Sequence, residues 1–391
     1  MTMNKERRTF LQVSIAASAA LLSGCGRSET ESRVGAPVET ASRPLKILVL
    51  GGTGFIGPHM VHEALRRGHE VTLFNRGKSN RGLFPDLELL VGDRDNDLGA
   101  LEGRQWDAVI DNSGYVPRHV ADSAELLASA VSHYIFISSV SAYAAMSGNR
   151  TAADYHDVDM ANTEYDSPLT TMPDESIEEV TGETYGPMKV LCERAATAAM
   201  GEDRITILRP TWIAGPGDHS DRLTYWPVRV SRGGEMLAPG TASDLVQIVD
   251  VRDLANFVVD SMERRIMGIY NMVTPPGSYN MGALLADSQA VTATEVQVTW
   301  VDLPFIEAHG LYASGELPIW GPASGDTRSD VIVNGDRSFA QGMRTRPIKE
   351  TIRDTLSWWR TLPQERRATM RAGMSPEREA EMLAAWHREN A

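Results

Sequence analysis

Cysteine is nearly missing from this chain: Cys25 and Cys192 are the only two in 391 residues. A disulfide-stapled scaffold is therefore excluded, and Cys192 reads as a buried thiol on a helix. No cluster of His, Cys, Asp and Glu has metal-ligand spacing, so no metal site is expected. Positive charge is also short, with 38 Lys and Arg against 52 Asp and Glu, a net charge of −14 and a pI near 5.2. Nucleic-acid binding normally needs a basic patch, and this balance speaks against a polyanion partner. The one sizeable apolar run, Phe10 to Ser23, is too short and too rich in small residues for a comfortable membrane span. No internal repeat is evident. What is present, 42% hydrophobic residues, suffices for the core of an α/β domain with an attached subdomain.

The N-terminus reads as a cleaved export signal. Lys5, Arg7 and Arg8 precede the apolar run, Glu6 to Gln12 (ERRTFLQ) resembles a twin-arginine signal, and Leu22-Ser23-Gly24-Cys25 resembles a lipobox in which Cys25 becomes the lipidated terminus. An ordinary secretory signal with a chance cysteine is the plainer alternative. Gly26 to Pro44 has too little apolar content to fold and reads as a tether. These readings place the protein outside the cytoplasm, on the cell-envelope side, held to the membrane by a lipid.

The fold begins near Leu45. Ile47 to Leu50 is apolar enough for a fully buried parallel strand, and it breaks at Gly51 and Gly52 into an amphipathic helix beginning near Gly57, with Met60, Val61, Ala64 and Leu65 on one face. Gly68 stops the helix and Glu70 to Asn75 forms a second strand. Gly51, Gly54 and Gly57 stand in G-x-x-G-x-x-G spacing around Thr53, Phe55 and Ile56. Missing side chains let a pyrophosphate approach the backbone, and the helix start supplies N–H groups and positive dipole, so this loop is expected to bind a dinucleotide.

At the end of the second strand stand Asn75 and Arg76, where an acidic residue would favour NAD. With Arg76 and Lys78 able to pair with a 2′-phosphate, NADP is favoured over NAD; a solvated basic loop is the alternative. Two more strands end in cofactor-facing turns: Glu88 to Val91 runs into Asp93, and Trp106 to Asp111 into Asn112-Ser113-Gly114. Asp93 would accept from an adenine amine or else make an Asx turn. A fifth strand, His133 to Ser138, leads to Ser139, and Tyr185 lies four residues before Lys189 at the start of a helical pattern. One helical turn sets Tyr185 and Lys189 on one face, where an ammonium would favour the phenolate and Ser139 would hold a reacting hydroxyl.

With these residues in place the chain resembles the extended short-chain dehydrogenase/reductase family, the NAD-dependent sugar epimerases and dehydratases. Gly51, Gly54 and Gly57 match its nucleotide loop, Asp93 its adenine contact, and Ser139, Tyr185 and Lys189 its catalytic Ser/Thr, Tyr and Lys. Arg209-Pro210, Gly215-Pro216-Gly217-Asp218 and Asp250 to Ala255 follow in family order, and Arg344 to Pro347 with the helix through Trp359 resembles its C-terminal closure. The resemblance implies a Rossmann fold, a doubly wound parallel sheet with a smaller C-terminal substrate lobe. It also implies NAD(P) bound by the loop residues and by Lys189, a small-molecule substrate of carbohydrate type, and room for a homodimer. The expected division is an NAD(P)-binding domain over 45–210 with 246–275 returning to it, a substrate lobe over 211–245 and 276–360, and a helical extension over 361–391.

Three departures accompany the resemblance. The acidic ribose residue is absent; an acidic segment, Asp154 to Glu183, reads as a lid or surface excursion; and Asp221 to Arg229 is closer to the branch of chloroplast stem-loop RNA-binding proteins. In that run Arg222, Tyr225, Trp226 and Arg229 would form a sugar platform, or Tyr225 and Trp226 would be the buried face of an amphipathic helix. His219 reads equally as a loop residue or a ligand. The expected activity is hydride exchange at a secondary alcohol or carbonyl, with a non-catalytic binding protein for RNA or a partner as the competing class.

Overall fold

A computed structural model of the chain describes residues 43–146, 163–312, 314–321 and 333–391. The export signal, Cys25 and nearly all of the tether lie outside the described residues, as does the first part of the acidic segment. Among the described residues no helix is long and apolar enough to cross a membrane.

The N-terminal half alternates strand and helix: β1 (Lys46–Leu50), α1 (Ile56–Arg66), β2 (Glu70–Asn75), β3 (Glu88–Val91), β4 (Ala108–Asp111), α2 (Pro117–Leu127), β5 (His133–Ile137), α3 (Tyr185–Met200) and β6 (Ile205–Pro210). After it come β7 (Trp212–Ala214), α4 (Tyr225–Val230), β8 (Glu235–Pro239), β9 (Ile248–Asp250), α5 (Val251–Arg264), β10 (Gly268–Met272), α6 (Met281–Thr292) and β11 (Gln297–Val301). The remaining helices are α7 (Leu303–Ala308), α8 (Asp336–Ala340), α9 (Ile348–Thr361), α10 (Gln364–Ala368) and α11 (Pro376–Glu389).

Seven parallel strands form the central sheet in the order β10-β6-β5-β4-β1-β2-β3. Side chains alternate across a strand, so Ile47 and Val49 enter a core with Val61 and Leu254 while Leu48 and Leu50 enter another with Val120 and Ala196. Helices α1 and α5 cover the first face, α2 and α3 the second. Coverage on both faces is why these strands read as unbroken apolar runs. The order reverses at β1, between β4 and β2, and the crevice at the carboxyl ends of the strands opens there.

A third core belongs to the lobe. It combines Leu223, Tyr225 and Trp226 around α4 with strands β8 and β11 and helices α6 and α9. Met382, Leu383 and Ala385 of α11 enter that same core, so the last helix is built into the lobe rather than appended to it. Ser375 caps α11 by accepting from the N–H of Arg378, with Pro376 in its first turn.

Candidate active site

The glycine loop does three separate jobs. Gly51 leaves β1 at φ +90°, and a Cβ there would stand 2.7 Å from the Cβ of Ser113 and 2.8 Å from Oδ1 of Asn112. At Gly57 a Cβ would meet Cα of Gly52 at 2.7 Å, so α1 is pressed onto the strand end more closely than any side chain permits. Gly54 faces open space. The first turn of α1 has no side-chain cap and carries Ile56, with Phe55 at the cap position, leaving N–H groups and the positive end of the helix toward that space. A cradle that tolerates no side chain on its walls and ends on an uncapped helix fits a pyrophosphate.

Around the loop the remaining cofactor candidates divide. Thr53 offers its carbonyl to Nδ2 of Asn80 at 2.9 Å, which ties residues 76–80 to the loop. Asn75 accepts from the N–H of Gly77 through Oδ1 while its buried Nδ2 has no partner. Arg76 is exposed at the end of β2. Asn112 and Ser113 line the cavity, and the buried Nδ2 of Asn112 is likewise without a partner. Gly114 does not line it; its carbonyl accepts from Nζ of Lys189 at 2.7 Å. Asp93 adopts the Asx-turn alternative, its Oδ1 taking the N–H of Asp95 at 3.2 Å, and it too is outside the cavity lining.

Ser139, Tyr185 and Lys189, distant in sequence, meet on the wall of one cavity of about 690 Å³ that also contains Gly51, Gly54 and Gly57. Tyr185 opens α3 directly after a turn in which Oγ1 of Thr184 accepts from the N–H of Thr181 at 2.8 Å. Lys189, one turn later, is 3% exposed; Nζ donates to the carbonyls of Gly114 and Ile137 and stands 5.8 Å from the centre of the Tyr185 ring. Burial draws that ammonium down to about 8, so at pH 7 it is still mostly charged. Burial also raises the Tyr185 phenol, against which a hydrogen bond from Ser139 and the charge of Arg222 act. Ser139 is fixed by its own turn, its Oγ accepting from the N–H of Ser141 at 3.1 Å. Cys192 lies wholly buried on α3, its thiol pushed up to about 12 by burial, and is inert packing.

Two buried polar networks behind this wall were not read from the sequence. Asp111 takes both terminal nitrogens of Arg94 at 2.6 and 2.8 Å and the hydroxyl of Tyr134 at 2.7 Å, locking the end of β4 beneath Asn112 and Ser113. Glu193, four residues beyond Lys189 on α3, accepts from Nε and Nη2 of Arg209 at 2.9 and 2.6 Å and from the hydroxyl of Ser138. The second bracket joins α3, β5 and β6 next to Ser139. Its sequence signals were the i, i+4 spacing of Lys189 and Glu193 on a helix and the Arg209-Pro210 pair.

In the substrate half only Arg222 of the expected platform reaches the cavity, together with His219, whose ring meets Phe55 edge-on at 6.2 Å. Tyr225, Trp226 and Arg229 do not, which corrects the platform reading. Trp226 is wholly buried and donates to the carbonyl of Pro318 at 3.0 Å, while Tyr225 is packed under Gly373, where a Cβ would fall inside the ring. Arg229 is buried against Glu379 of α11 and donates to the carbonyls of Gly233 and Glu235. The amphipathic-helix alternative is the one the chain adopts. Missed by the sequence were Tyr115, Trp212, Leu245, Tyr312 and Ile319, which line the cavity from five separate segments. None of the described part of the acidic segment lines it; Glu164 and Tyr165 instead bind the backbone of Asn271 and Ile269 at the β10 edge. Among the described residues no group of three or more His, Cys, Asp and Glu is placed to hold a metal.

Residues 47–273 match the NAD dependent epimerase/dehydratase family. The chain is 24% identical over 261 residues to the chloroplast stem-loop binding protein of 41 kDa b of Arabidopsis thaliana, a match that covers 61% of each. It spans about three-fifths of that relative's length. Among solved structures it is similar to the Bordetella bronchiseptica enzyme WbmG in complex with NAD and UDP, at a TM-score of 0.59 and 16% identity over 85% of this chain and 98% of that one. It is also similar to the Thermus thermophilus UDP-glucose 4-epimerase in complex with NAD, at a TM-score of 0.55 and 18% identity over 81% of this chain and 100% of that one. At these identities the two structures show a shared fold.

Proposed function

The chain belongs to the NAD dependent epimerase/dehydratase family, and we propose that it is an NAD(P)-dependent oxidoreductase or epimerase acting on a secondary alcohol or carbonyl of a carbohydrate. The observation that carries this reading is the meeting of Ser139, Tyr185 and Lys189 on the cavity that the glycine loop opens into. Both orphaned amides, Asn75 Nδ2 and Asn112 Nδ2, stand at strand ends beside that loop and suit a polar cofactor. A bound nicotinamide dinucleotide, held by Gly51 to Gly57 and Lys189, would supply hydride acceptance and donation there. Ser139 holds the substrate oxygen, and Tyr185 takes the proton of that alcohol on oxidation and returns it on reduction. Lys189 keeps a positive charge near the phenol. Epimerisation, dehydration and simple oxidoreduction share this first step.

NADP is proposed as the preferred cofactor. Arg76 is exposed and makes no ion pair among the described residues, so its guanidinium is free to take a 2′-phosphate. Arg76→Ala is expected to weaken NADP about tenfold and NAD hardly at all, measured as separate dissociation constants. Equal weakening of both would show that Arg76 meets a part common to the two, or neither.

We further propose export by the N-terminal signal, with a lipid on Cys25. Outside the cytoplasm little free NAD(P) is expected, so the protein would fold around its cofactor, carry it across, and regenerate its redox state within each cycle. Protein recovered from the cell envelope is then expected to contain near-stoichiometric nucleotide and to turn over without added cofactor, as quantified by mass spectrometry of released ligand. An empty site whose activity depends on added NAD(P) would defeat the proposal of export with a self-recycling cofactor. RNA binding is the weaker reading: stem-loop binding is a property of the plant relative, and the charge of −14 on this chain opposes a polyanion.

A further inference from the structure

The wall of the cavity changes character between its depth and its mouth. Lys189 and Ser139 are buried, and Tyr115, though 47% exposed, sits at the reacting end with its ring 4.7 Å from Nζ of Lys189, whereas two other lining residues, Trp212 and Leu245, are 36% and 39% exposed. Single exposed hydrophobics are ordinary on a protein surface, but two large ones on neighbouring backbone along one cavity wall mark a place where a ligand covers them. Both are held by backbone ladders. Trp212 begins β7 in register with Ile248, and Leu245 bridges Asn280. The rim backbone is therefore held in place, which lowers the ordering cost when a ligand arrives. Ser141, Ser220 and Arg222 line the same cavity as Ser139 and add donors and acceptors to it, a surface for a ring bearing several hydroxyls.

We propose that the substrate is a glycoside with an apolar aglycone: its sugar ring enters to Ser139 and Tyr185, and its aglycone lies on Trp212 and Leu245 at the mouth. This rests on the reading of Ser139 and Tyr185 as the reacting end. The exposed parts of an indole and a leucine are buried by the aglycone, and the sugar's hydroxyls meet the polar wall, so the two halves of the ligand match the two kinds of wall.

The test compares matched methyl and phenyl glycosides of glucose, galactose and mannose, with UDP-glucose alongside, by calorimetric titration of the full chain holding its nucleotide. For at least one sugar the phenyl glycoside is expected to bind about tenfold more tightly than the methyl glycoside, from the apolar area it covers. Trp212→Ala is expected to remove most of that ratio and Leu245→Ser part of it, whereas Tyr185→Phe leaves the ratio standing. A ratio within one protein preparation is insensitive to a loss of folded fraction. No phenyl preference for any sugar, a ratio untouched by Trp212→Ala, or tighter binding of UDP-glucose than of every phenyl glycoside would overturn the inference. Turnover of methyl glycosides without phenyl preference would sink it while sparing the proposed chemistry; phenyl preference without turnover of any glycoside would do the reverse.

Discussion

The Tyr185→Phe protein is expected to fold, to hold nucleotide as the parent does, and to turn over about 100-fold or more slowly, the usual contribution of a positioned general acid or base. The substitution removes one oxygen and keeps the ring, so the tilted contact with Tyr115 at 6.4 Å and the Lys189 ammonium over the ring are retained. What is lost is the proton carrier. Because burial raises the phenol, the resting form at neutral pH is protonated, the state needed to deliver a proton during reduction. For oxidation the phenolate is needed, and its fraction rises with pH. The opposing trend comes from Lys189, which sheds its charge near pH 8 and then no longer favours the phenolate. The oxidative kcat/KM of the parent should therefore climb with pH and level off or fall above about 8, and the rising limb should vanish in Tyr185→Phe. Turnover within a few-fold of the parent would remove Tyr185 from the chemistry.

The largest expected stability effect lies behind that wall. Glu193→Ala should cost about 3–5 kcal/mol, the usual penalty for stripping one partner from a buried ion pair. Arg209 is 1% exposed and donates twice to Glu193, with a further bond to the carbonyl of Glu164 at 3.2 Å. Without the carboxylate it is a nearly uncompensated charge, and Ser138 loses its acceptor in the same step. Glu193→Gln keeps the shape and one acceptor, so it should cost less. In urea unfolding the midpoint should fall with an unchanged slope, the Ala protein further than the Gln protein. A midpoint equal to the parent's in Glu193→Ala would mean that Arg209 reaches water or another carboxylate, and that the bracket contributes nothing.

The parts of this protein that were legible in its sequence are those where cause and consequence lie within about one helical turn or one strand. The run ILVL before Gly51, the glycine spacing and the face of Met60, Val61 and Ala64 are local facts, and they specify a strand, a turn and a helix wherever the chain places them. Tyr185 and Lys189 are likewise on one helix, so their common face follows from about 3.6 residues per turn.

The α4 segment marks the limit. Tyr225, Trp226 and Arg229 have the same local pattern whether they border a ligand or a core, because amphipathicity records an apolar face and not what covers it. The cover is decided by residues far along the chain: Glu379 pairs with Arg229 from 150 positions away, and Pro318 takes the indole of Trp226 from 92. Similarly, Trp212 and Leu245 became neighbours of one cavity only through pairing with Ile248 and Asn280. Local propensity determined the nucleotide loop and the order of the catalytic residues. Long-range burial alone decided which polar and aromatic side chains of the second half were left facing the cavity, since hydrophobic association is non-directional and carries no address in the sequence.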